Sequence, residues 1–137
     1  MKQIYFLCTG NSARSQMAEG LGNHLGKGQL HCISAGTKPS KLNPLATMVM
    51  QEIGIDISGQ KSKPIEPILL QSSDWVITLC GDARDTCPVL PLYVKNKHWD
   101  LPDPAGATGD LEQQLTIFRQ VRDEIKTRIL NFLLEEF

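Results

Sequence analysis

The stretch from Gln3 to Arg14 constrains the fold more than any other part of the chain. Gln3 to Thr9 is short, apolar and rich in strand formers, so it reads as a buried strand. It runs directly into Gly10-Asn11-Ser12, a turn-forming cluster. The spacing then predicts a helix from Arg14 or Ser15. Met17, Leu21 and Leu25 share one face of it, and Gly26 can close it.

The rest of the chain repeats this alternation. Leu30 to Ala35 is a second strand. Asn43-Pro44 starts a helix, with Asn as cap and Pro in the first turn. Leu45, Met48, Val49 and Ile53 would face inward, and Gly54 ends the run. Asp74 to Leu79 is a third strand, followed by a polar loop from Cys80 to Pro88. Lys97 to Leu101 is a short fourth strand. Asp110 and Gln113 fit a capping box ahead of a last helix carrying Leu111, Leu115, Phe118, Val121, Ile125, Ile129 and Phe132 at helical spacing. Strands separated by helices imply an α/β fold, with a four-stranded parallel sheet and helices on both faces. Ligands of such folds sit at the carboxyl ends of the strands. Cys8, Cys80 and Asp103 each lie at or just after such an end.

With 137 residues and no linker or repeat, the expectation is one domain over 1–137. Fourteen basic against fifteen acidic residues, with no block of like charge, argues against a nucleic-acid or anionic-membrane surface. The apolar run Ile4–Cys8 is too short for a signal-peptide core, so the chain reads as cytoplasmic. In a reducing compartment, Cys8, Cys32, Cys80 and Cys87 are not a disulfide framework. Cys32, inside a strand and away from the rim, reads as a core residue.

The strongest chemical signal is Cys8-Thr9-Gly10-Asn11-Ser12-Ala13-Arg14-Ser15, set between strand and helix. A cysteine and an arginine separated by five residues can wrap a loop around an oxyanion. Successive backbone N–H groups form an anion nest, and the helix N-terminus adds a positive dipole. Gly10 would let the backbone turn inward. Arg14 can grip a tetrahedral oxyanion with two parallel hydrogen bonds. The same field suits a negatively charged sulfur at Cys8, to which Ser15 can donate its hydroxyl. The plainer alternative is a buried cysteine at a strand end beside a surface arginine.

This loop resembles that of the low-molecular-weight protein tyrosine phosphatases. The fuller resemblance is to the thioredoxin-coupled arsenate reductases that share their fold. It runs from Ile4-Tyr5-Phe6-Leu7 through Cys8–Ser15 to Gln16-Met17-Ala18-Glu19-Gly20. It continues in Ser34-Ala35-Gly36, Gly54-Ile55-Asp56-Ile57-Ser58, Val76-Ile77-Thr78-Leu79-Cys80, Cys87-Pro88, His98-Trp99, Asp103-Pro104-Ala105 and Phe118 to Ile125. The resemblance implies a flavodoxin-like strand order. Two departures stand out. Ala13 sits where some members carry another cysteine. Lys63 sits where some relatives have an acid near a potassium site, whose other ligands Asn11, Glu19 and Ser34 resemble. A lysine ammonium could replace that ion.

Cys80 and Cys87 have neither zinc-knuckle nor thioredoxin-pair spacing, and His24, His31 and His98 show no ligand spacing with them, so no metal site is expected. The resemblance implies a thiol relay. Cys8 attacks the arsenic of arsenate while Arg14 and the amides of Thr9, Gly10, Asn11, Ser12, Ala13, Arg14 and Ser15 hold its oxygens. Asp103 protonates the departing hydroxide; Asp100 is the neighbouring alternative. Cys80 then attacks Cys8, Cys87 attacks Cys80, and thioredoxin reduces the last disulfide. No bound cofactor is implied, and a monomer is the default. If residues 80–87 were helical, their ends would lie about 10 Å apart at 1.5 Å per residue. A disulfide needs under ~7 Å, so this segment should unwind on oxidation. The competing functions are a phosphatase acting on phosphotyrosine or small phosphate esters, which needs only Cys8, and a non-enzymatic oxyanion or redox sensor.

Overall fold

The structure is a computed structural model describing residues 1–137. Its elements are β1 (Lys2–Cys8), α1 (Arg14–Leu25), β2 (Leu30–Gly36), α2 (Pro44–Gln51), α3 (Pro67–Ser72), β3 (Trp75–Thr78), α4 (Gly81–Thr86), β4 (Lys95–His98) and α5 (Leu111–Glu136). A single 3-10 turn covers Pro104–Gly106. The four strands form one sheet in the order β2-β1-β3-β4, all parallel. This is the flavodoxin-like order. In the register, Cys8 stands beside Gly36 at the carboxyl edge.

Ile4 to Cys8 are all buried. An unbroken buried run requires cover on both faces of its sheet, and the intervening helices provide it. α1 and α5 pack together, and α2 lies against α5. The core joins Tyr5, Phe6, Met17, Leu21, Ile57, Ile77, Phe118 and Ile125 in one cluster. Beneath α5, Trp75, Trp99 and Phe132 meet edge to face at ring-centroid distances of 5.2 and 6.5 Å. Asn43 caps α2 through Leu45 N–H at 2.8 Å, and the reciprocal Asp110–Gln113 box opens α5.

Four expectations need correction. The fourth strand is Lys95–His98 rather than Lys97–Leu101. It lies at the sheet edge, so its polar residues carry no apolar signal, and the buried Trp99 and Leu101 beyond it draw the reading forward. The inward face of α2 is Ala46, Val49 and Met50, whereas Met48 is 43% exposed. Leu111 is exposed at the first turn of α5, before that helix reaches the core. The segment Cys80 to Pro88 is not a loop throughout, because Gly81–Thr86 is helical. α3 gave no periodic signal, since only Leu70 within it is buried.

Candidate active site

β1 delivers Cys8 to the carboxyl edge of the sheet, and the chain turns through residues 9–13 into α1. Cys8, Thr9, Gly10, Ser12, Ala13 and Arg14 line a cleft of about 340 Å³, together with Ser40, Asp103 and Ala105. No side chain caps α1. Its first N–H groups are therefore left for a ligand, as an anion site at a helix N-terminus requires.

The turn inward is made by Asn11 rather than Gly10. Asn11 has φ of 47°, a left-handed conformation that asparagine tolerates through local hydrogen bonds. Its side chain is completely buried and points away from the cleft. Oδ1 accepts the Lys63 N–H at 2.8 Å. That contact fixes the amide orientation, because a backbone N–H can only donate. Nδ2 then donates to Ser15 Oγ at 2.7 Å and to Ser34 Oγ at 3.0 Å. With its lone pair engaged, the Ser15 hydroxyl is free to donate to Cys8 Sγ, 2.8 Å away. Ser15 thus contacts the sulfur from behind rather than lining the cleft. Gln16, also fully buried, ties the Asn11 carbonyl to that of Lys61 at 2.9 Å each.

A strap of residues 37–43 runs beside the loop. Thr37 N–H donates to Cys8 O, Lys38 to Thr9, Ser40 to Gly10 and Asn43 to Ser12, at 2.9–3.1 Å. Ser62 Oγ adds a bond to Gly10 O at 2.8 Å. Gly36 permits this close approach, since a Cβ there would meet Thr9 O and stand 2.8 Å from Asn11 N. Sequence reasoning missed the strap and Ser40. Backbone pairing between distant segments leaves no mark in side-chain pattern.

Arg14 lies under the cleft, 7% exposed. Nη1 donates to Leu101 O at 3.1 Å, and Nη2 lies 3.8 Å from Asp103 Oδ2. Nε is buried with no hydrogen-bond partner. A buried unpaired donor on a cation is costly, and an oxyanion oxygen in the cleft is the partner this geometry suits. Asp103 Oδ1 accepts the Ala105 N–H at 3.0 Å, which holds the carboxylate at the cleft wall beside Arg14. Asp100 lines a different depression, with Leu101, Pro102 and Val121. Asp103, and not Asp100, shares a cleft with Cys8.

Cys80 follows β3 and caps α4, its sulfur accepting Ala83 N–H at 3.4 Å. Thr9 Oγ1 stands 3.3 Å from the same sulfur, so the second thiol adjoins the oxyanion loop. Cys87 sits at the far end of α4, where burial pushes its thiol pKa up. It faces a separate depression with Arg84, Pro88, Leu92 and His98. Cys32 is buried in β2, and its thiol is pushed up to about 12 by desolvation, with Glu19 adding to the rise. Beneath the loop, Lys63 Nζ donates to Lys61 O at 2.6 Å. It also lies 3.8 Å from Glu19 Oε1, which accepts from Ser34 Oγ at 2.7 Å. The Lys63 ammonium thus lies beside Glu19, one of the three residues that resemble the ligands of the family's cation site.

An arsenate reductase of Shouchella clausii is 53% identical over 131 residues, covering 96% of this chain and 94% of its own. A solved arsenate reductase in the phosphate binding state is 41% identical with a TM-score of 0.81, and the match covers 98% of each chain. The thioredoxin-dependent arsenate reductase of Corynebacterium glutamicum is 28% identical with a TM-score of 0.80, covering 98% of this chain and 61% of that one. Residues 3–136 match the low molecular weight phosphotyrosine protein phosphatase family, and the chain belongs to it.

Proposed function

We propose that the protein reduces arsenate to arsenite through Cys8, Cys80 and Cys87, with thioredoxin as the reductant. One observation carries this reading. A second thiol, Cys80, stands against the oxyanion loop through Thr9, and a third, Cys87, stands one short helix away. A phosphatase needs the cleft, Cys8, Arg14 and Asp103, but has no use for these two. The arsenate reductases to which the chain is similar supply the substrate class.

Arsenate enters the cleft with its oxygens on the loop amides, the α1 N-terminus and Arg14. The Cys8 sulfur attacks arsenic, and Asp103 gives its proton to the departing hydroxide. Ser15 holds the attacking sulfur, and Asn11 holds Ser15. Cys80 then attacks the Cys8 sulfur. The arsenic–sulfur bond breaks, its electron pair leaves with arsenite, and a Cys8–Cys80 disulfide remains. Cys87 attacks Cys80 and releases Cys8 as the thiolate. Thioredoxin reduces the Cys80–Cys87 disulfide in a further exchange. Hydrolysis of small phosphate esters is expected as a weak side activity of the same cleft.

The test is arsenate-dependent NADPH oxidation in the presence of thioredoxin and thioredoxin reductase. Sustained turnover that vanishes without arsenate or thioredoxin is expected. Cys87→Ala should stop after one turnover. A Cys87→Ala protein that turns over arsenate at the wild-type rate would remove the relay.

A further inference from the structure

α4 contains only six residues and buries only Ala83, so its own packing holds it weakly. Two side chains tie it to the loop region instead. Thr37 Oγ1 donates to Asp82 Oδ2 at 2.8 Å. Thr9 Oγ1 lies 3.5 Å from the same oxygen and 3.3 Å from Cys80 Sγ. Thr37 belongs to the strap, and its own N–H is bonded to Cys8 O at 3.1 Å. One residue therefore holds the carbonyl of the first thiol with its backbone and the helix between the other two thiols with its side chain.

We propose that the Thr37–Asp82 hydrogen bond is a latch that keeps α4 wound and so delays the meeting of Cys87 with Cys80. Its place in turnover rests on the relay reading above. While the latch is closed, Cys80 stays docked at Thr9, facing the loop where it must first attack Cys8. The ends of a helix spanning residues 80–87 lie about 10 Å apart, beyond disulfide reach. Opening the latch lets the first turn of α4 come away, and Cys87 can then attack Cys80. Thr37 and Asp82 are positioning residues in this scheme, because neither touches the reacting sulfur of Cys8.

The latch is tested without arsenate, so its failure is separable from failure of the relay. In the reduced protein, Thr37→Val keeps the strap's backbone bonds and removes only the hydroxyl. Losing one net hydrogen bond should speed amide exchange at Arg84 and Cys87 about threefold to tenfold, with β1 unchanged. In a Cys8→Ser background, oxidised dithiothreitol takes two electrons from Cys80 and Cys87 and leaves as the dithiol. Thr37→Val should accelerate that disulfide formation by a similar factor, and Thr37→Ser should restore the wild-type rate. Exchange and disulfide formation within twofold of wild type in Thr37→Val would overturn the proposal. So would Thr37→Ser behaving like Thr37→Val.

Discussion

Replacing Asn11 with alanine should destabilise the protein by unpinning the loop from the segments around it. The substitution removes the acceptor of the Lys63 N–H, a part-buried donor whose loss of partner costs about 1–3 kcal/mol. It also forces an alanine to φ of 47°, worth about 1–2 kcal/mol. Gln16 is a smaller loss, because its Nε2 keeps the carbonyls of Asn11 and Lys61. The sum is about 2–5 kcal/mol, a fall in melting temperature of roughly 7–17 °C for a chain of this size. Thermal unfolding followed by circular dichroism, with urea midpoints as a check, measures it. Asn11→Gly separates the two contributions, since glycine adopts the left-handed conformation freely and should recover about 1 kcal/mol. A loss below about 0.5 kcal/mol in Asn11→Ala would show that the buried network does not hold the loop. Equal losses in the alanine and glycine variants would remove the conformational part of the argument.

Three further outcomes are expected. Amides of residues 84–87 should be protected in the reduced protein and lose protection once the Cys80–Cys87 disulfide forms; equal protection in both states would mean that α4 does not unwind. Gly36→Ala should cost about 1–3 kcal/mol by overpacking and weaken phosphate binding measured by calorimetry, because the added Cβ meets backbone of Thr9 and Asn11. Glu52 accepts from Arg119 at 2.8–3.1 Å and from Arg122 at 2.9 Å, and the Arg119 hydrogen bonds lead in lowering its pKa below the ordinary 4.5. A depressed carboxylate pKa contributes stability above the ordinary value that is lost as pH falls through the folded one. Glu52→Gln should therefore shift the urea midpoint downward at about pH 7 and leave a much smaller gap at about pH 3; a gap of constant size would refute the pairing.

The parts of this protein that can be read from sequence are those whose side chains report their surroundings. β1 shows an apolar run because Ile4 to Cys8 are buried without a break, and α5 a helical repeat because one stripe from Leu115 to Phe132 is buried. The oxyanion loop is legible because cysteine, arginine and the flanking elements fall at fixed offsets. α4 is hidden because a six-residue helix with one buried alanine has no periodicity, and β4 because an edge strand needs no apolar face. Conformational freedom alone points to Gly10 for the inward turn. It falls at Asn11, where the buried Ser15, Gln16 and Ser34 and the Lys63 N–H all bond its amide side chain. The strap and the Thr37–Asp82 contact pair residues far apart in the chain, and nothing local announces them.

Cys32 bears on fidelity. Four thiols offer six pairings, and only two, Cys8–Cys80 and Cys80–Cys87, serve the relay. Three of the six involve Cys32. With its thiol at about 12 and its sulfur packed so closely on Gly22 that a Cβ there would stand 2.5 Å away, Cys32 seldom exists as the anion that exchange demands. Three of the four off-path pairings are thus closed by the burial of one sulfur, leaving Cys8–Cys87 as the sole off-path pair.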